Sequence, residues 1–381
     1  MADAMEPRER VLAALRHEET DRVPIDLGSC GPTAIHVNAY RSLLSFLGRN
    51  EEISLWDVVG QLAQPSQVIL EMMGADVRGL RVGSLSSLSS TASPECVVDP
   101  WGTTWAMRPS TTCYSIVAYP LAGVTGLDGY TFPEGKALVD GPSLRQRGLQ
   151  LRDEGRYAIL GEVSGLIFER AQMIRGFDQF LLDLLESPTF AEDLLDHILQ
   201  VETDIACTFL DAVGDLIDVF AYKDDLGMQS GPLISRAMFQ QVLKPRMRKY
   251  LDAVRARTDA KIWFHSCGSV YYVIPDLIDL GIEILNPVQV SARDMEPARL
   301  KQEFGKHLCF WGGIDSQTAL PHGTPHDVEV EVKRRVQELG TGGGYVLASV
   351  HNIEADVPGE NVWTMFDAAQ KWGRYSRQHA T

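Results

Sequence analysis

The run IWFHSCGSV, residues 262–270, passes from apolar β-formers to a histidine, a serine, a cysteine and a glycine. Residues two apart in an extended chain share a face, so His265 and Cys267 are expected to point to one side. An imidazole nitrogen beside a thiol sulfur is a ligand pair suited to zinc, and a catalytic zinc takes three protein ligands while keeping a position open. His351, near the end of GYVLASVHNI, is the candidate third ligand. The competing reading makes Cys267 a packed core thiol and leaves the two histidines to hydrogen bonds or to a carboxylate substrate.

Other polar residues break apolar runs in the same manner. Asp224 and Asp225 are candidates for general base and substrate anchor, with Asp225 as a cap of the following turn the structural alternative. Glu162 is a candidate to hold substrate or metal, or else to pair with Arg170 or Arg175. Asp26, Tyr222, Asn286, Gln289, Trp311 and Asp315 are candidate substrate contacts, although Trp311 also suits the packing of a barrel end. Cys30, in DLGSCGPT, has no partner base in the sequence and reads as a loop thiol rather than a nucleophile.

These residues need strands to carry them. Short runs rich in Val, Ile, Leu and Phe alternate with amphipathic stretches, the pattern of parallel strands joined by helices. There are eight strand candidates: RVPIDLG, ADVRGLRV, YAILGEV, LIDVFAYKDD, KIWFHSCG, IEILNPV, HLCFWGGID and GYVLASVHNI. Helices are expected over SPTFAEDLLDHILQVETDIACTFLDAV, with Ser187 as N-cap, and over TPHDVEVEVKRRVQELG, stopping at Gly340. Eight such units suffice to close a (β/α)8 TIM barrel, whose active sites lie at the C-terminal ends of its strands; a doubly wound open sheet is the alternative. Residues 95–123, rich in Val, Trp, Thr and Tyr with turn residues between, read as a β-hairpin insertion after the second strand. The Gly and Ser of GSLSSLSSTASP mark a flexible connection before it.

Composition bounds the function. A chain of 381 residues, 45% hydrophobic, can bury a large core. Its 51 acidic against 35 basic residues give a net charge of −16 with no compact basic block, which argues against a general nucleic-acid role. The six cysteines are scattered, as in a reducing compartment. Without a signal-type apolar core or a stretch of about 18 apolar residues, the expectation is a soluble cytoplasmic protein with no membrane partner.

The chain resembles the uroporphyrinogen decarboxylase superfamily, which includes zinc-dependent methylcobamide:coenzyme M methyltransferases. The resemblance runs from RERVLAALRHEETDRVPID through GPLISRAMFQQVLKPRMRKYLDAV to GGYVLASVHNIEADVPGENV. It implies a single (β/α)8 barrel over residues 1–381. Decarboxylases of the family carry an arginine-rich segment after the first strand, where this chain has DLGSCGPTAIHVNAY and Arg41 only later. Their aspartate after strand two and tyrosine after strand three are replaced by VRGLRVGS and EVSGLIFERA, while His351 sits where they place a substrate-binding histidine. The methyltransferase branch has H-x-C at the end of strand five, matching His265 and Cys267; its third ligand is commonly a cysteine near the end of strand eight, where this chain offers His351. Related cobalamin-independent methionine synthases add a glutamate where this chain has Gln289.

The resemblance implies a Zn²⁺-dependent methyltransferase. A methylcorrinoid held by a separate corrinoid protein would supply the methyl group to a small-molecule acceptor, a thiol or a tetrahydrofolate. Asp224, Asp225 and Glu162 would position that acceptor or manage its proton. The alternatives are a metal-free, decarboxylase-like carboxy-lyase anchored through His351, and a non-catalytic barrel that only binds a cofactor or partner.

Overall fold

The structure is a computed structural model that describes residues 5–82, 89–90, 96–108 and 110–375. Its centre is a curled sheet of seven parallel strands: β1 (Val77–Arg81), β2 (Ala158–Glu162), β3 (Val219–Lys223), β4 (Lys261–His265), β5 (Ile284–Asn286), β6 (Cys309–Trp311) and β7 (Tyr345–Val346). Each strand pairs with the next in chain order. A doubly wound sheet reverses strand order partway across, and this one does not. The two edge strands converge on the remaining expected strand, RVPIDLG. Leu347 donates to the Pro24 carbonyl at 2.8 Å and accepts from the Asp26 amide at 2.9 Å, while the Asp76 amide donates to the Ile25 carbonyl at 2.8 Å. The result is a TIM-barrel-like α/β fold.

Alternation along the strands sorts side chains into two environments. One set faces inward and packs as a continuous interior: Val77, Ala158, Leu160, Val219, Ala221, Trp263, Ile284, Cys309, Trp311 and Val346. The other set, including Ile159, Phe220, Tyr222, Phe264 and Leu285, faces the surrounding helices. Val11 and Leu15, from helix α1 (Pro7–Ala14) and its end, fill the interior where the strands begin. That end is also pinned by charge. The buried Asp76 carboxylate accepts from Arg10 at 2.6 Å and from Arg22 at 2.7 Å, and takes the Ile25 amide as well.

At the other end the loop carrying Ser29 and Cys30 dips into the barrel. Gly79 permits it, since a Cβ there would collide with the Ser29 carbonyl oxygen. Both expected helices are present. Pro188–Val213, here α3, begins after Ser187, whose side chain makes no capping bond, whereas Pro325–Arg335 is opened by a Thr324–Asp327 capping box. A shorter helix, α2 (Phe168–Arg175), follows β2 directly. Strands Cys96–Val98, Thr104–Met107 and Tyr114–Ala118 form an antiparallel sheet, to which Ser89–Ser90 adds a fourth strand. The rest of the connection expected to be flexible, with Glu95, lies outside the described residues. No helix among the described residues is long and apolar enough to cross a membrane.

Candidate functional site

Strand register assembles the site. Arg81 pairs with Glu162, Lys223 with His265, and His265 with Asn286, and all five share the inward-facing parity of their strands. Parallel pairing thus brings the last inward residue of each of five strands to one rim. Above this rim lies a cavity of about 430 Å³, reached by Glu162, Lys223, Asp225, His265 and His351. Its outer wall is apolar and aromatic, with Trp56 and Trp105 among its residues.

His265 is buried and its protonation pattern follows from its neighbours. The Asn286 side-chain amide donates to the Trp311 carbonyl at 2.9 Å, which turns its oxygen toward His265 Nδ1, 2.5 Å away. Nδ1 therefore carries the proton and Nε2 keeps a free lone pair. That lone pair faces Cys267 Sγ at 3.3 Å. Burial chiefly, with the neighbouring His351, pushes the His265 pKa down to about 4, so the ring is neutral at neutral pH.

Strand β4 ends at His265, and Cys267 lies in the loop beyond it. The shared side expected from strand alternation is achieved by that loop instead. The Cys267 amide donates to Asp225 Oδ1 at 2.8 Å, and the Gly268 amide to Gln289 Oε1 at 2.6 Å. His351 completes a group of three whose ligand atoms lie within 4.8 Å of one another. Its ring centroid is 5.9 Å from that of His265, and its side chain is 42% exposed. Tetrahedral zinc bonds of 2.0–2.3 Å place ligand atoms about 3.5 Å apart. The His265 and Cys267 pair stands at that spacing, and the exposed His351 offers the third nitrogen within 4.8 Å. Nitrogen, sulfur and nitrogen donors fit a zinc ion. Burial, followed by the charges of Asp225 and Glu169, pushes the Cys267 thiol far above its ordinary pKa, the penalty that a bound cation reverses.

The two adjacent aspartates do different work. Asp224 is buried and does not line the cavity. Its carboxyl accepts the amides of Ile167, Phe168 and Glu169 at 3.2, 2.8 and 2.7 Å, capping α2 from the end of the neighbouring strand. Asp225 does line it, with Oδ1 3.8 Å from His265 Nε2. Glu162 is not paired with an arginine of α2. Arg170 lies 3.5 Å from Glu202 and 3.9 Å from Asp99, and Arg175 bonds Asp183 at 2.6 Å. Glu162 instead accepts the Gly31 amide, at 3.1 Å to each oxygen; burial raises its pKa, opposed by Lys223 and Arg81.

The six expected substrate contacts lie outside the cavity lining. Asp26 accepts from Ser29 and from the Trp311 indole at 3.0 Å, which commits both to the interior. Tyr222 has outward parity and packs on Tyr250 and Phe264. Asn286 and Gln289 act through His265 and the Gly268 amide. Asp315 caps its own turn, accepting the Gln317 and Thr318 amides. Cys30 is buried in the interior cluster.

Lys223 and Glu169 are among the cavity residues that escaped the sequence reading. Lys223 follows from alternation, since it shares the parity of Val219 and Ala221. Burial works against its charge, but Glu162, Glu169, Asp57 and Asp225 hold its pKa above that of an ordinary lysine. Glu169, in the first turn of α2, has no local signal. Burial and the Asp225 charge raise its pKa to about 7.

Comparison with known proteins adds three findings. The profile of the uroporphyrinogen decarboxylase (URO-D) family matches residues 149–372. The methylcobamide:CoM methyltransferase MtaA of Methanosarcina barkeri is 28% identical over 181 residues, 47% of this chain and 50% of that protein. The chain thus spans about half the length of this relative. A solved structure of a methyltransferase from Methanosarcina mazei aligns over 97% of this chain and 99% of its own, with a TM-score of 0.69 and 20% identity, and has the same fold.

Proposed function

This chain belongs to the uroporphyrinogen decarboxylase family, and within that family we propose that it is a zinc-dependent methyltransferase. It would move a methyl group between a methylated corrinoid protein and a thiol or tetrahydrofolate-type acceptor. On this reading residues 1–381 form one (β/α)8 barrel domain, and residues 95–123 are an insertion at its mouth. The similarity to a methylcobamide:CoM methyltransferase over 181 residues supports the reaction type.

The observation that carries the reading is the preset state of His265. Asn286 fixes its tautomer so that an unprotonated nitrogen faces a cysteine sulfur at 3.3 Å, with a second imidazole in reach. His265, Cys267 and His351 would hold the zinc. When bound, zinc supplies the charge that keeps an acceptor sulfur or nitrogen anionic, and so nucleophilic, at neutral pH.

The protein's own residues do the rest. Asp225 anchors the Cys267 backbone, Asn286 orients His265, and the apolar outer wall keeps water from the reacting atoms. A carboxy-lyase acting on a many-carboxylate macrocycle is less well supported. Arg170, a cavity-lining cation, already faces Glu202 and Asp99, and Lys223 is surrounded by four carboxylates.

The test is metal content after purification without chelators. Wild type is expected to hold about one zinc per chain, and Cys267→Ala and His265→Ala to lose it. A fully loaded Cys267→Ala protein would refute the ligand assignment.

A further inference from the structure

Five acids line the cavity: Asp57, Asp99, Glu162, Glu169 and Asp225. Four of their carboxylates are engaged by the protein. Asp99 accepts the Trp101 and Thr103 amides and the Trp105 indole, and Asp57 accepts the Gly60 amide. Glu162 accepts from Gly31, and Asp225 from Cys267. The carboxyl of Glu169 has no hydrogen-bond partner among the described residues.

Its position is nonetheless fixed. The Glu169 amide is held by Asp224 at 2.7 Å, and the next residue in that loop, Asp225, holds the Cys267 amide at 2.8 Å. An unengaged carboxyl and the candidate ligand Cys267 therefore hang from two consecutive residues. The charged and titratable groups facing Glu169 are Asp225 and Lys223 from the end of β3, Arg170 from its own helix and His351 from the loop after β7.

We propose that Glu169 receives the proton that a thiol acceptor gives up as it is seated against His265, Cys267 and His351. This rests on the methyl-transfer reading above. The S–H bond breaks, the proton passes to a Glu169 carboxylate oxygen and the electron pair stays on sulfur. That pair then forms the bond to the methyl carbon of the methylated corrinoid, whose cobalt keeps the pair of the cobalt–carbon bond.

Glu169→Gln removes the proton site while keeping the shape, and Glu169→Asp keeps the acid on a shorter arm. Zinc-loaded proteins are titrated with 2-mercaptoethanol at about pH 7.5 to 8.5 in weak buffer with an indicator dye. The thiolate charge seated beside Glu169 raises its pKa further, so wild type is expected to release clearly less than one proton per thiol. Glu169→Gln is expected to release about one proton per thiol, so that its affinity tightens about tenfold per pH unit. With methylcobalamin as donor, kcat is expected to fall about 100-fold in Glu169→Gln and to be partly restored in Glu169→Asp, at unchanged zinc content. One proton released per thiol by both wild type and Glu169→Gln, or an unchanged kcat, overturns the assignment while leaving the metal reading standing. A wild-type protein without zinc overturns both.

Discussion

His265 shows how one side chain is prepared by another that never meets the cavity. Asn286 is buried, spends its amide on the Trp311 carbonyl and so has only its oxygen to offer. Partners of this kind are worth 10–100-fold in metal affinity. Asn286→Ala is therefore expected to weaken zinc binding by about that factor, read by competition with a chelating dye, with the fold intact. The depressed pKa of His265 has a second consequence. The folded state refuses a proton that the unfolded chain accepts, so the metal-free protein is expected to lose stability as the pH falls from about 6.5 toward 4, by at most about 3 kcal/mol. Denaturant unfolding in the presence of chelator, wild type against His265→Gln, measures it. Equal pH slopes in the two proteins would sink the idea.

Helix α2 is the element on which the cavity most depends. Three of its N-terminal amides end on the single carboxyl of Asp224, and each buried group left without its partner costs roughly 1–3 kcal/mol. Asp224→Ala is expected to destabilise the protein by about 3 kcal/mol or more and to free Glu169 and Arg170 from their places, with Asp224→Asn intermediate. The elements themselves were largely legible in sequence. Seven of the eight expected strands are present, because β-branched and aromatic runs bounded by Gly and Asp leave little else for the chain to do. The eighth, RVPIDLG, bonds both edge strands but forms only bridges. Side-chain direction was less legible. Tyr222 and Asp224 drew attention by residue type, yet the interior parity of β3 runs through Val219, Ala221 and Lys223, and that rule alone would have chosen Lys223. Cys267 faces His265 for a reason outside strand geometry, since Asp225 pulls its loop into place. Glu169 depends on a contact 55 residues away in sequence, which local patterning does not contain.

Across the whole molecule, stability and chemistry occupy opposite ends of the barrel. Where the strands begin, Asp76 with Arg10 and Arg22 ties the first segment to the sheet, and Val11 and Leu15 fill the interior beneath Trp263 and Trp311. The cavity sits where the strands finish, above the packed interior that lies below His265. A cavity entered at the strand ends imposes a queue. If the methyl donor is carried by another protein, that protein closes the entrance when it docks, so the small acceptor has to be seated first and its methylated form departs last. Excess corrinoid protein is then expected to slow escape of the methylated product in rapid-mixing measurements, and equal escape rates with and without it would rule the queue out. On this arrangement turnover is paced by the coming and going of a partner many times larger than the atoms exchanged.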